Sequence, residues 1–450
     1  MNKTQDTYLN FTHKLLHKNW SNTYLWIFLF SCLFIGLNIL LYLNTSPIKS
    51  HCDIDSSAYL ENGLLFFKNS SFSARQTLPY YGLGYPLLIG FIYKLFGQSI
   101  LAIIIVQVIL ALMSGLLIFS IAQKLFNTQV ALISFIFFSI NLGFLTFTQF
   151  ILTEIFLTFW LILFFERFIT FIKTRNISSV ALAGFALGFS IIIKPAAIYY
   201  PLLLAFLLIF IITGPLKTKL KHILLFITCF CAPILGYKTH NYIAFNEFKT
   251  GALQEINMCY WLFPNILAEH NKTNSDIERQ KLQDMGSIQT VKTYFIEFTK
   301  AHPFLLIYVW AKNVLKTWLG LFSTNLKVLI DPQVHPGQIS YFKMPGNIYQ
   351  KAKAYITAGT DITWLKIVSF YEAIWSILRL FLAFIALFYL LIQKKYALLF
   401  LFISYLFYFS IITGHDGCAR FRILFEFILL ILAALGAYVI ITKIRKKQLS

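Results

Sequence analysis

The 450 residues carry 58% hydrophobic side chains against 12% charged ones, with a mean hydropathy of +0.70, far more apolar surface than one soluble core can hide. The net charge of +20 comes from basic residues spread through short segments between apolar runs, not massed on a polar domain. The partner it implies is therefore anionic lipid, and nucleic acid is set aside.

The polar, basic N-terminus is followed by an apolar run with no small-residue cleavage site, which predicts a retained first span and not a removed signal. A bilayer core about 30 Å thick needs roughly 20 apolar residues per helix. Runs near 24–43, 99–122, 129–149, 150–171, 179–193, 196–213, 223–243, 367–392, 396–413 and 423–442 predict ten such helices. The stretch Tyr85–Phe96 is too short to cross. Phe304–Phe322, interrupted by Lys312 and Lys316 four residues apart, reads as an amphipathic helix lying in the interface. With the N-terminus cytoplasmic, the cytoplasmic side carries 16 basic residues and only two acids, Asp6 and Glu166. Counting 304–322 as a crossing would move the Lys394 and Lys443 clusters outside and break that pattern.

The predicted fold is an all-α polytopic membrane protein of about ten transmembrane helices, with juxtamembrane helices on the outer face. Residues 1–243 form an N-terminal transmembrane module with a first outer loop at 44–98. Residues 244–366 form a second outer loop that includes the interfacial helix and a turn-rich stretch through His335-Pro336-Gly337, and 367–450 form the C-terminal helices. The outer loops lack an independent core and are expected to lie over the mouths of the spans. No internal repeat or inverted halves are visible, which counts against a secondary transporter. The cysteines have no metal-ligand spacing: Cys32, Cys229 and Cys231 lie in apolar runs, and Cys52, Cys259 and Cys418 in outer segments, as free thiols or with two of them bridged.

Chemistry has few places to sit in so apolar a chain. Asp53 and Asp55 fall just beyond the first span, and Asp55 precedes Ser56-Ser57-Ala58-Tyr59, a helix start. Asp55 is either an N-cap or a catalytic base at the membrane surface, with Tyr59 one turn on and on the same face. Asp53 can hold a cation, raise its neighbour's pKa, or be solvated. Glu154, at the outer end of the fourth span, either stabilises a helix N-terminus or lines a wet cavity on the same side as Asp55. Lys194, before Pro195 at a sharp outward turn, and Arg420 and Arg422, after the Gly-rich turn Gly414–Ala419, can clamp a phosphate or snorkel to headgroups. No motif demands a cofactor. A divalent cation could draw on His51, Asp53, Asp55, His415 and Asp416, whose spacing matches no metal motif.

These pieces resemble the C-type glycosyltransferase (GT-C) superfamily, and within it the branch of protein mannosyltransferases and lipid A aminoarabinose transferases. Asp55 with Tyr59 is similar to the family's first-loop acidic motif. Pro79–Pro86 followed by Phe96-Gly97 resembles its re-entry into the second span, Thr153-Glu154 its acid at the fourth span, Lys194-Pro195 its basic-proline turn, and Ala419-Arg420-Phe421-Arg422 its loop before the final helix. The resemblance implies transfer of a sugar from a polyprenyl phosphate, with inversion, to a lipid, glycan or protein acceptor on the outer face. It implies that Asp55 receives or orients the acceptor proton and that Glu154 helps shape the acceptor side, with Asp53 a further catalytic candidate. Lys194, Arg420 and Arg422 would stabilise the departing phosphate, with Tyr59, Tyr81 and Tyr85 binding donor or substrate. The re-entry run lacks the lysine of aminoarabinose transferases, and Ser56 stands where protein mannosyltransferases place a glutamate after the aspartate, so sugar and acceptor stay open. The polar outer loops suit a bacterial inner membrane with both termini cytoplasmic. A flippase of a lipid-linked glycan, or a non-catalytic subunit of a glycan-assembly machine, is the alternative.

Overall fold

The computed structural model describes residues 3–45, 51–52, 54–69, 82–211, 215–251, 253–331, 341, 344, 346–357 and 362–448. Asp53, Tyr81 and the His335–Gly337 turn lie outside this set. Among the described residues every regular element is a helix. The N-terminal half holds α1 (Lys3–Asn44), α2 (Ile54–Asn69), α3 (Gly84–Phe96), α4 (Ile100–Leu125), α5 (Thr128–Ser139), α6 (Leu142–Phe147), α7 (Glu154–Thr174), α8 (Ile177–Ile193), α9 (Tyr200–Ile211) and α10 (Leu216–Phe245). There follow α11 (Leu253–Ile256), a π-helical turn (Asn257–Leu262), α12 (Phe263–Asn271), α13 (Ser275–Asp284), α14 (Ile288–Ala301), α15 (Pro303–Leu319) and α16 (Ser323–Ile330). The chain closes with α17 (Ile348–Thr357), α18 (Thr363–Ile392), α19 (Tyr396–Ile412), a 3-10 turn (Ala419–Arg422) and α20 (Ile423–Gln448).

Among the described residues six helices are long and apolar enough to cross a membrane, and the other predicted runs form shorter apolar helices. One expectation is corrected: the run 129–149 is not one helix. Asn141 leaves the helical path and caps α6, its Oδ1 accepting the Phe144 amide at 3.2 Å, while its Nδ2 donates to Glu426 at 2.8 Å. An asparagine offered both a local amide and a buried carboxylate ends a helix that hydropathy alone would continue.

The core is organised around α20. Ile428, Leu430, Ile431, Leu432, Ala433 and Ala434 are fully buried, so this helix is covered on every side by α18, α5 and α7. By contrast α1 leaves Phe28, Ile39, Leu40 and Leu43 exposed, as suits a peripheral helix whose solvent is lipid.

Residues 253–319 form a helical cap at one end of the bundle. This segment has a small core of its own, in which Leu262, Phe263 and Ile266 are fully buried. It closes onto α15 through Val309, Leu305 and Leu306. One side of α15 exposes Phe304, Ile307, Tyr308, Leu315 and Leu319. Elsewhere on it Lys312 pairs with Glu269 at 2.6 Å and Lys316 donates to Asn313 at 3.2 Å. The helix thus has one apolar side and one paired basic side.

Candidate active site

Residues Thr148–Thr153 run without regular helix through the bundle interior, and their backbone groups need partners there. The first loop supplies several. Ile151 N–H donates to His51 O at 2.9 Å, His51 Nδ1 donates to Gln149 O at 2.8 Å, and Ser56 Oγ donates to Ile151 O at 2.9 Å. Gln107 of α4 donates through Nε2 to Thr148 O at 3.1 Å and Phe150 O at 2.9 Å, and accepts the Tyr85 hydroxyl at 2.9 Å. Asn38 of α1 accepts from Gln149 Nε2 at 2.9 Å. These bonds fasten the start of α2 to the start of α7, and so bring Asp55 and Glu154, each in a first helical turn, to one place.

Arg420 joins them. Its Nη2 lies 3.0 Å from Asp55 Oδ2 and its Nε 2.7 Å from Glu154 Oε1. Lys194 Nζ lies 3.6 Å from the same Glu154 oxygen and 4.7 Å from the centroid of the Phe421 ring. Lys194 ends α8, where a cation complements the helix dipole, and its amide closes that helix on Ser190 O. Gly82 packs against this end so closely that a Cβ on it would stand 2.3 Å from Ile193 O, which explains a glycine in the re-entry run.

Two acids and two bases thus form a neutral group of buried and half-buried charges. Glu154 is 2% exposed and Asp55 25% exposed, so of the two carboxylates Asp55 is the one open to an incoming molecule. Burial pushes the Lys194 ammonium below its usual range, and the Glu154 carboxylate opposes that shift. Beside Lys194 opens an apolar cavity of about 210 Å³, walled by Tyr199, Met258, Trp310, Ile412 and Leu424. Lys194 and Phe421 also line it, so the cavity and the charge group share a wall.

The structure therefore brings together Asp55, Glu154, Lys194 and Arg420, four residues that stand far apart in the chain. Tyr59 is buried in contact with Tyr85, ring centroids 5.3 Å apart, and its phenol acts electrostatically on Arg420. Tyr85 is fully buried with its hydroxyl donating to Gln107 at 2.9 Å. Arg422 is also fully buried and turns away from the group: it donates to Trp318 O at 2.9 Å and to Gly320 O, and pairs with Glu426 at 3.1 Å. Two residues on from Arg420 in a 3-10 turn, it must face another way. Asp53 and Tyr81 fall outside the described residues.

Among the described residues no three His, Cys, Asp or Glu side chains gather as a metal site. Two imidazoles proposed for one are engaged elsewhere: His51 binds Gln149 O, and His415 Nδ1 donates to Ile412 O at 3.2 Å. Burial lowers the pKa of both, which keeps them neutral. The six cysteines are free thiols, and burial pushes Cys418 up to about 12. Sequence reasoning missed Gln107, although a lone amide within an apolar run signals a polar partner in the interior. It also missed Glu372 and Glu426, which share the interior with Arg379 and Arg422.

Residues 81–237 match the family described as dolichyl-phosphate-mannose-protein mannosyltransferase. No curated protein matches the sequence. Among solved structures the chain is similar to the oligosaccharyltransferase AglB of Archaeoglobus fulgidus in complex with an inhibitory peptide and a dolichol-phosphate, with TM-score 0.57 and 12% identity over 96% of this chain and 51% of that one. The apo form of the Archaeoglobus fulgidus oligosaccharyltransferase gives TM-score 0.54 and 13% identity over 95% and 51%. The chain thus spans about half the length of the archaeal proteins whose fold it shares. It matches the mannosyltransferase family over residues 81–237 and shares its fold with the archaeal oligosaccharyltransferase.

Proposed function

We propose that the protein transfers a sugar from a polyprenyl-phosphate carrier to a lipid, glycan or protein acceptor on the outer face of a bacterial inner membrane. The acceptor oxygen attacks the anomeric carbon and gives its proton to Asp55, the one carboxylate of the group open to solvent. The bond from that carbon to the phosphate oxygen breaks, and the phosphate leaves with the electron pair. Lys194 and Arg420 meet the charge that develops on it. Glu154 holds both cations in place from beneath.

The observation that carries this reading is Arg420 bridging Asp55 and Glu154 beside a lysine at the lip of an apolar cavity. An acid, two phosphate-binding cations and a lipid-sized apolar wall are what the reaction needs in one place. The dolichol-phosphate in the AglB complex supports a lipid phosphate as the ligand class.

The test is transfer measured with purified protein and polyprenyl-phosphate mannose in membranes containing envelope acceptors. Asp55→Asn is expected to lower transfer at least about 100-fold, as loss of a general base does, with protein yield unchanged. Transfer at the wild-type rate in Asp55→Asn would remove Asp55 from the chemistry.

A further inference from the structure

The 3-10 turn that carries Arg420 has a second arginine, Arg422. Arg422 lies with its guanidinium 4.2 Å from the centroid of the Phe322 ring and donates to Trp318 O and Gly320 O, carbonyls at the C-terminal end of α15. Those are groups the helix itself leaves without partners, and a cation there also complements the dipole. Glu372 of α18 grips the other side of the same junction. Its Oε1 accepts the Phe322 amide and its Oε2 the Ser323 amide, each at 2.6 Å, at the start of α16. An anion on N-terminal amides and a cation on C-terminal carbonyls thus close one helix break from both ends. The two face each other, Arg422 Nη2 standing 3.9 Å from Glu372 Oε1.

The same α15 touches the approach to Arg420 at two more points. Trp310 Nε1 donates to Ile411 O at 3.0 Å, and Asn313 Nδ2 donates to His415 O at 3.4 Å. Gly417, at φ +75°, lies so near Asn313 that an added Cβ would stand 2.7 Å from its Cα. The segment 411–422, which carries Arg420 and lines the cavity through Ile412, His415 and Phe421, is therefore bonded to α15 at its start, middle and end.

We infer that Glu372 and Arg422 are positioning residues: by fixing the 318–323 junction they set where the Arg420 guanidinium stands relative to Asp55 and Glu154. This rests on the reading of Arg420 as the cation that meets the carrier phosphate. Nothing in it requires Glu372 or Arg422 to touch a ligand, and their burial prevents it.

A double-mutant cycle tests it, with undecaprenyl phosphate as the probe and its dissociation constant read by native mass spectrometry of the full chain. Glu372→Gln keeps the shape and one acceptor, and Arg422→Lys keeps the charge. Each is expected to weaken binding about tenfold in the wild-type background, the scale of loss when a binding group is displaced. In the Arg420→Ala background each is expected to change it less than about twofold, because a residue acting only through Arg420 has nothing left to act on. Equal weakening in both backgrounds, or none in the wild type, overturns the inference. Undiminished binding by Arg420→Ala alone instead overturns the donor reading beneath it. If Glu372→Gln does not yield folded protein, Arg422→Lys completes the same cycle.

Discussion

Glu154 serves two cations with one oxygen. Its Oε1 receives Arg420 and Lys194, while Oε2 is buried without a hydrogen-bond partner among the described residues. Removing its charge leaves two cations facing one carboxylate in a poorly hydrated place. Glu154→Gln is therefore expected to destabilise the unliganded protein by about 3 kcal/mol, the scale seen when one partner of a buried ion pair is removed. An added anion should repair part of that loss. The thermal midpoint in detergent should then rise more on addition of undecaprenyl phosphate for Glu154→Gln than for wild type, and an equal rise in both would refute the account of Glu154. The four residues of the group were legible because each is a charge at the edge of an apolar run, where a charge needs a reason. Where Tyr85 and Arg422 face was not legible, because spacing places a residue on a turn without saying which way its side chain points.

At the scale of elements, the helices were legible from hydropathy, and their breaks were not. Asn141 ends α5 because Glu426, distant in sequence, offers it a partner. Likewise Glu372 closes the α15–α16 junction from α18, a long-range contact no local pattern announces. Beside that junction Lys327 of α16 is buried, donating to Tyr355 O at 2.6 Å, with its pKa lowered by burial to about 8. Unfolded, the lysine returns to its ordinary 10.5. Between those values the unfolded state binds more protons than the folded one, so this group makes stability rise with pH from about 8 to 10.5 and gives no slope below. Lys327→Met is expected to remove that rise, read as the difference in thermal midpoint between variant and wild type from pH 7 to pH 10. A difference that does not change with pH would show that Lys327 is not the group responsible.

The whole molecule places its charge group at the end of the bundle that bears the cap, next to the apolar cavity that α15 and the 3-10 turn enclose. The reading requires that end to face away from the cytoplasm. In a variant lacking the native cysteines, a single cysteine at Lys272 in the cap should react with a membrane-impermeant maleimide in intact cells, and one at Lys394 only after permeabilisation. The reverse pattern would put the site on the wrong side for a flipped lipid carrier. The most direct measurement is an experimental structure with undecaprenyl phosphate bound. The account predicts the phosphate within about 4 Å of Lys194 Nζ, the range of a charge-assisted contact through a fork or a point charge, with the first isoprene units against Trp310 and Leu424. A phosphate bound instead in the polar cleft between Lys312 and Lys316, with the Lys194 cavity empty, would contradict it.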